Sequence, residues 1–344
     1  MIKVGINGFG RIGRAIFRII QSKNDLEVVA INDLDSLIDN HVYLANYDTI
    51  YGKLEEKLFV NKSNNSIINR KKEINFYSQE NINDVKWNES GADIIFDSSG
   101  ILNNVKNSHK LIDKCVKKII VTHSPSKYID QTLILGANED TYKKENNVIS
   151  SSICDANACA PALKALDNEF GIEDGFITTL HPWLGYQNLT DGSLKSVSSP
   201  GHYWKDFALG RASLDSLIPK KTTLMPAIRL ALPEMNQDIS AMSFRVPTAI
   251  VSASDITLTL NKIIQEKDVI ELFKSIEKKY PEVILLNEES LVSIDFKGIE
   301  QSCVIDLRWL KVFGGNKLKL VIWYDNEWGY SNRAVDTAEL VLNK

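Results

Sequence analysis

Cysteine is scarce in this 344-residue chain, and its four copies, Cys115, Cys154, Cys159 and Cys303, fit neither a dense disulfide framework nor a paired CxxC zinc pattern. That usage suits a reducing compartment, and the cytoplasm is the simplest expectation. An excess of charge of one sign is missing too. Lys and Arg number 40 against 44 Asp and Glu, a formal net charge of −4, so no global surplus of cations draws the chain to phosphate backbones or anionic membranes. Neither nucleic acid nor membrane is an expected partner. No apolar run approaches the roughly 18 residues that a membrane span requires, and the first residues read as a strand rather than a signal peptide. Internal repeats, low-complexity tracts and charge blocks are absent as well. With 44% hydrophobic residues, the composition is that of a globular protein long enough for two domains and two cores.

What is present begins with a short apolar strand, Ile2-Lys3-Val4-Gly5-Ile6-Asn7, then glycines at 8, 10 and 13. Ile12, Ala15, Ile16, Ile19 and Ile20 recur at helical spacing, and residues 26–31 form a second apolar strand, which completes a βαβ unit. Strand candidates at 93–97 and 118–122, with a helical stretch around 104–115 between them, extend a parallel sheet. The expected fold is α/β: a Rossmann-type doubly wound parallel sheet over 1–153, followed by an α+β catalytic domain over 154–330 with a mostly antiparallel sheet. Strand candidates for the second domain lie at 176–180, 239–246, 253–260, 302–309 and 317–324. A final amphipathic helix, within 331–344, is expected to pack back on the first domain. The Gly-, Ser- and Asn-rich stretch 182–210 is too long for a plain connector and reads as a functional or interface loop.

Gly8-x-Gly10-x-x-Gly13 alone is a weak pattern, because three glycines fall this way by chance in many chains. Its place after a strand and at a helix start strengthens it. A Cβ here would obstruct the approach of backbone N–H groups to a pyrophosphate. Asp33, twenty residues past Gly13 at the end of the second strand, can accept the adenine-ribose hydroxyls. Its carboxylate repels a 2′-phosphate, so NAD rather than NADP is the expected cofactor.

Cys154 lies in Ser151-Ser152-Ile153-Cys154-Asp155-Ala156-Asn157-Ala158-Cys159-Ala160-Pro161, and His181 ends Thr178-Thr179-Leu180-His181. A thiol attacks as thiolate; an imidazole can take its proton, and a helix N-terminus stabilises the anion. A lone cysteine is most often a buried apolar residue. Polar Asp155 and Asn157 read instead as an exposed helix start, which predicts a thiol pKa lowered by the helix dipole. Cys159 is expected to face the core. His41, His109, His123 and His202 read as surface or packing histidines. Arg245, at the end of a strand, could hold an anionic oxygen in its guanidinium fork or serve in a structural ion pair. Asn326, in the polar-aromatic run 323–333, could fix a carboxamide-bearing ring by paired hydrogen bonds.

Taken in order, these runs resemble the glyceraldehyde-3-phosphate dehydrogenase family over essentially the whole chain. The resemblance rests on Asn7-Gly8-Phe9-Gly10-Arg11-Ile12-Gly13-Arg14, Ile31-Asn32-Asp33, Cys154 with Asn157 and Ala160-Pro161, Thr179-x-His181, Phe244-Arg245-Val246-Pro247-Thr248 and Tyr324-Asp325-Asn326-Glu327-Trp328-Gly329-Tyr330-Ser331. It implies that Cys154 adds to an aldehyde with His181 as base, and that hydride then passes to nicotinamide. It further implies cofactor contacts at Gly8, Gly10, Arg11, Ile12, Gly13, Asp33, Ser99 and Asn326, a phosphate contact at Thr222, and a homotetramer; Arg245, Asp155 and Thr223, which stands where the family has a glycine, are further expected substrate contacts.

The departures concern anions. Glycolytic members place Ser before and Thr after the cysteine, where this chain has Ile153 and Asp155. A carboxylate about 4 Å from an attacking oxyanion costs on the order of 4 kcal/mol at an effective dielectric of about 20, more than a neutral hydrogen bond returns. Leu184 and Tyr186 stand in the family's threonine-rich stretch, Leu209 replaces an arginine although Arg211 remains, and Lys220-Lys221 add cations that could neutralise Asp155 or hold a differently placed anion. The expectation is therefore NAD-dependent oxidation of a short, phosphorylated aldehyde through a Cys154 thiohemiacetal and thioester, with an altered substrate or acyl-acceptor site in which water can replace phosphate. One alternative is ordinary phosphorylating glyceraldehyde-3-phosphate dehydrogenase activity. Another is a non-catalytic NAD-binding protein, against which the joint presence of Cys154, His181, Arg245 and Asn326 argues. No metal site is expected.

Overall fold

The computed structural model describes residues 1–112, 114–194 and 205–343. They form two compact units, Met1–Ile153 with Ser331–Lys344, and Cys154–Tyr330.

The first unit opens with strand Ile2–Asn7, helix Arg11–Ile20 and strand Leu26–Asn32. The helix buries Ala15, Ile16, Phe17, Ile19 and Ile20, the apolar face that its spacing predicts. The sheet runs in the order Gln131–Thr132, Val148–Ser150, Lys118–Val121, Ile94–Asp97, Ile2–Asn7, Leu26–Asn32, Lys72–Tyr77, Ser66–Asn69, Phe59–Asn61. Neighbours pair in parallel as far as Lys72–Tyr77, and the last two strands add antiparallel. The helical stretch expected around 104–115 is broken into Leu102–Asn107 and His109–Ile112. At the break the Ser108 hydroxyl donates to the Asn104 carbonyl at 3.0 Å, a side-chain bond of the kind that competes with continued helix. Trp87 is fully buried among Ala30, Ile95 and Ile119, and its indole N–H donates to Ile82 O at 2.9 Å. Most of the last helix, Trp328–Asn343, also belongs to this unit, where Lys23 meets Glu339 at 3.1 Å.

The second unit begins with helix Cys154–Phe170, whose buried alanines at 156, 158, 160 and 162 let it approach its neighbours closely. Its sheet runs Ile218–Lys221, Asp238–Val246, Ile172–Pro182, Ser252–Leu260, Lys317–Tyr324, Cys303–Phe313, Ile284–Asn287. Ile172–Pro182 pairs in parallel with Asp238–Val246, as does Ile284–Asn287 with Cys303–Phe313, and the remaining pairs are antiparallel. The period of two decides which side chains share a face. Ile177, Thr179 and His181 are buried, whereas Phe176 and Leu180 are exposed. Parallel register sets His181 beside Arg245, and antiparallel register sets Ile218 opposite Arg245 and Lys220 opposite Ser243. His181, Arg245 and Lys220 therefore lie on one face, and Lys221 on the other. Of the stretch 182–210, residues 195–204 lie outside the described residues, and His202 with them. Among the described residues no helix is long and apolar enough to cross a membrane.

Candidate active site

In the first unit the glycine turn is tightly built. Gly8 has φ +92°, and a Cβ on it would lie 2.7 Å from the backbone of Ser98 and Ser99. A Cβ on Gly13 would lie 2.1 Å from Gly8 O. Gly10, which precedes the helix, instead has nothing within 4 Å of its would-be Cβ. That leaves an open approach to the backbone N–H groups of the first turn, including Arg11 and Ile12, where a pyrophosphate would bind. Asp33 Oδ2 accepts from Phe9 N at 2.6 Å and Oδ1 from Asp35 N at 3.1 Å, tying the strand end to the glycine turn. Ser99 donates its hydroxyl to Asp97 at 2.6 Å. The Arg11 side chain pairs with Asp48 and lies over the Tyr51 ring. The open cradle and the adjacent carboxylate fit a dinucleotide. His41, read from the sequence as a surface or packing residue, is buried with Nε2 3.8 Å from Asp33 Oδ1.

In the second unit Cys154 is the first residue of its helix, and its Sγ lies 3.7 Å from His181 Nε2. His181 Nδ1 is 2.8 Å from the Pro182 carbonyl, which assigns the ring proton to Nδ1 and leaves the Nε2 lone pair on the thiol side. Burial, and after it the Arg245 charge, lowers the His181 pKa to about 4. The ring is neutral at neutral pH and able to accept a proton.

The surroundings of the thiol differ from the expectation. Asp155 and Asn157 are buried, not part of an exposed helix start. Burial first, and the Asp155 carboxylate second, push the Cys154 thiol well above its ordinary range, against the opposing pull of the Asp155 backbone N–H and Arg245. The predicted lowering by the helix dipole is outweighed by burial, and then by the adjoining carboxylate held against the sulfur: Sγ donates to Asp155 Oδ1 at 3.5 Å, and the same oxygen accepts from the Tyr324 hydroxyl at 2.9 Å. Cys159 is buried as expected and contacts Ser254 Oγ at 3.3 Å, its thiol pushed up to about 12 chiefly by burial.

Cations enter from the neighbouring strands. Arg245 is buried and its Nη2 donates to Tyr186 Oη at 3.4 Å. Burial, and then Arg245, lowers Lys220 to about 8, while Asp155 and Cys154 pull it up, which places this ammonium in the same electrostatic cluster. Arg211 is exposed and paired with Asp191 at 2.9 Å. Thr222 Oγ1 accepts from Leu224 N at 3.2 Å, and Thr223 precedes helix Leu224–Ala231, exposed and without a side-chain cap bond. Asn326 is buried, and its Oδ1 accepts from Val251 N at 3.1 Å, which fixes the amide and leaves its NH2 as donor. Sequence reasoning did not find Tyr324 as the partner of Asp155. The signal was the alternation Leu318, Leu320, Ile322, Tyr324, all buried, since a tyrosine in such a row needs a partner for its hydroxyl.

Two family models match the chain: "Glyceraldehyde 3-phosphate dehydrogenase, NAD binding domain" over residues 2–105 and "Glyceraldehyde 3-phosphate dehydrogenase, C-terminal domain" over residues 153–326. Among curated relatives, glyceraldehyde-3-phosphate dehydrogenase 1 of Bacillus cereus is 36% identical over 346 residues, covering 100% of this chain and 99% of the relative. The enzyme of Geobacillus stearothermophilus is 36% identical over 345 residues with the same coverage. The cytosolic enzyme of Sinapis alba is 34% identical over 336 residues, covering 97% of this chain and 96% of the relative. The match spans the dinucleotide cradle and the cysteine-histidine unit alike, and NAD is the cofactor it carries. The chain belongs to the glyceraldehyde-3-phosphate dehydrogenase family, as a divergent, NAD-dependent oxidoreductase.

Proposed function

We propose that this chain oxidises glyceraldehyde 3-phosphate, or a short phosphorylated aldehyde close to it, through a covalent bond to Cys154, with inorganic phosphate as acyl acceptor. The observation that carries this reading is that the sheet register puts two cations, Arg245 and Lys220, on the same face as His181, in the electrostatic surroundings of Cys154 and Asp155. Asp155 alone argues against phosphate, yet Arg245 and Lys220 share its electrostatic cluster, and its oxygen is already engaged by Tyr324 and the thiol. The full-length relatives, named as glyceraldehyde-3-phosphate dehydrogenases, favour the same reading over the altered acceptor that the sequence first suggested.

Residues 1–153 with 331–344 serve as the dinucleotide-binding domain, and 154–330 as the catalytic domain. Gly8, Gly10, Gly13, Arg11, Ile12, Asp33 and Ser99 hold the dinucleotide, and the Asn326 amide orients its carboxamide. Bound NAD supplies the hydride acceptor. Cys154 Sγ adds to the aldehyde carbon while its S–H bond breaks and the proton passes through His181 Nε2 to the aldehyde oxygen; as the thiohemiacetal then becomes the thioester, His181 Nε2 takes the hydroxyl proton. Arg245 and Lys220 hold the anionic groups, with Thr222 and Thr223 as outer contacts. Attack by phosphate on the thioester then releases the acyl phosphate, and the departing sulfur takes back a proton from His181 as thiol. Water as acceptor is the second reading, favoured by Asp155 Oδ1 lying 3.5 Å from Sγ, where a carboxylate can take a proton from water. Measuring NADH formation from glyceraldehyde 3-phosphate with and without phosphate or arsenate separates them. Phosphate-dependent turnover supports the first, and sustained turnover without phosphate the second.

A cytosolic homotetramer completes the proposal. The cytosolic Sinapis alba relative supports the location. Phe176 and Leu180, exposed on the outer sheet face, suit contact with a second copy of the chain.

A further inference from the structure

The sequence holds no metal-binding spacing, but the fold assembles a ligand set around the nucleophile. Cys154, Asp155 and His181 each offer one ligand atom, and the three atoms lie within 4.8 Å of one another. Two of the edges are Sγ to Nε2 at 3.7 Å and Sγ to Asp155 Oδ1 at 3.5 Å. A tetrahedral zinc with Zn–S of about 2.3 Å and Zn–N or Zn–O of about 2.0–2.1 Å spaces its S···N and S···O ligand pairs at about 3.5–3.6 Å. The two sulfur edges lie close to that spacing.

The supporting contacts are those of a metal site as well. His181 donates through Nδ1 to the Pro182 carbonyl at 2.8 Å, fixing the ring and freeing Nε2. Tyr324 donates to Asp155 at 2.9 Å and holds the carboxylate in place. Such outer hydrogen bonds orient ligands and tune their basicity.

We propose that Cys154, Asp155 and His181 form a three-ligand site for a divalent thiophilic cation such as Zn2+, with its fourth position open to an exchangeable ligand. Binding replaces the thiol proton: the Cys154 S–H bond breaks, sulfur keeps the electron pair and bonds the metal, and one proton leaves to solvent. No oxidant or reductant is involved. Thiolate and carboxylate together balance the charge of the dication. Arg245 and Lys220 add positive charge to the same cluster and favour an anion, hydroxide or phosphate, in the fourth position. The consequence is a reversibly closed nucleophile: the metal-bound sulfur neither adds to an aldehyde nor reacts with alkylating or oxidising agents.

Asp155 is the particular feature, because an acidic residue directly after the cysteine converts a Cys-His pair into three ligands. The test uses the full chain after dialysis against a chelator, titrated with Co2+ and followed by the near-ultraviolet thiolate-to-cobalt charge-transfer band. One Co2+ per chain, displaced by one equivalent of Zn2+, is expected. The band should vanish in Cys154→Ser, and zinc affinity should fall at least tenfold in the isosteric Asp155→Asn. Zinc protection of Cys154 against iodoacetamide at one equivalent, reversed by chelator, gives a second reading on the unmodified chain. Absence of the band, or equal zinc affinity in the unmodified chain and Asp155→Asn, would overturn the proposal. NADH formation by the metal-free chain is scored separately, so failure of the metal site and failure of the aldehyde reading remain distinguishable.

Discussion

Tyr324 and Asp155 are joined by a buried hydrogen bond of 2.9 Å, and the oxygen that accepts it is the one against which the Cys154 sulfur rests. The resting nucleophile is thereby set by a residue 169 positions beyond its neighbour Asp155. Because Asp155 pushes the thiol up, Asp155→Asn should lower the thiol pKa. Each unit of lowering raises the thiolate fraction below the pKa about tenfold, and with it, to a lesser extent, the rate of Cys154 alkylation. The iodoacetamide rate measured against pH checks this, with the curve of Asp155→Asn displaced to lower pH. An undisplaced curve would show that the carboxylate does not govern the sulfur.

His181 carries both catalysis and a pH signature. His181→Gln should reduce NADH formation by about 10²- to 10⁴-fold, the usual contribution of a positioned base. The folded pKa of about 4 lies below the ordinary 6.5, so between those values the unfolded chain binds a proton that the folded chain does not. Stability from the neutral ring is full above pH 6.5 and declines as the pH falls toward 4. Between pH 7 and 5 this amounts to about 2 kcal/mol. Denaturant unfolding at the two pH values should show His181→Gln losing that much less than the unmodified chain.

Lys220 should give an alkaline limb to substrate binding. Its pKa of about 8 keeps it charged at neutral pH and neutral above that value, so the KM for a phosphorylated aldehyde should rise as the pH passes 8. Lys220→Arg, which stays charged, should remove the limb, and Lys220→Met should raise KM at pH 7 at least tenfold with a smaller effect on kcat. Steady-state kinetics from pH 6.5 to about 9.5 test this.

The glycine turn separates space needed by the fold from space needed by the cofactor. Gly13→Ala brings a methyl to 2.1 Å from a backbone oxygen and should destabilise the first unit by about 1–3 kcal/mol, seen as a Tm lowered by several degrees. Gly10→Ala has open space around it and should leave the Tm unchanged while weakening NAD at least tenfold. Calorimetry and NAD titration of the two variants provide the contrast.

The βαβ start, the Cys154 helix and five of the seven strands of the second sheet were legible because apolar period and glycine placement are local properties; Ile218–Lys221 and Ile284–Asn287 were not. The surroundings of the nucleophile were not. Asp155 read as solvated because polar residues at a helix start usually are, and only the partner at Tyr324 reveals that it is buried. Lys220 and Lys221 look alike in sequence. The register that sets Lys220 opposite Ser243, two residues from Arg245, gives them different faces. That register depends on pairing between distant strands, as does the parallel match of His181 with Arg245. His41 beside Asp33 was missed for the same reason.

The covalent role of Cys154 can be measured in one step. The chain is mixed with glyceraldehyde 3-phosphate and NAD in phosphate-free buffer, quenched in acid within a single turnover, digested, and examined by mass spectrometry. A phosphoglyceryl thioester on the peptide holding Cys154, formed with one equivalent of NADH and absent from Cys154→Ser, is the predicted result. NADH formation by Cys154→Ser, or NADH without an acylated Cys154 peptide in the unmodified chain, would contradict it.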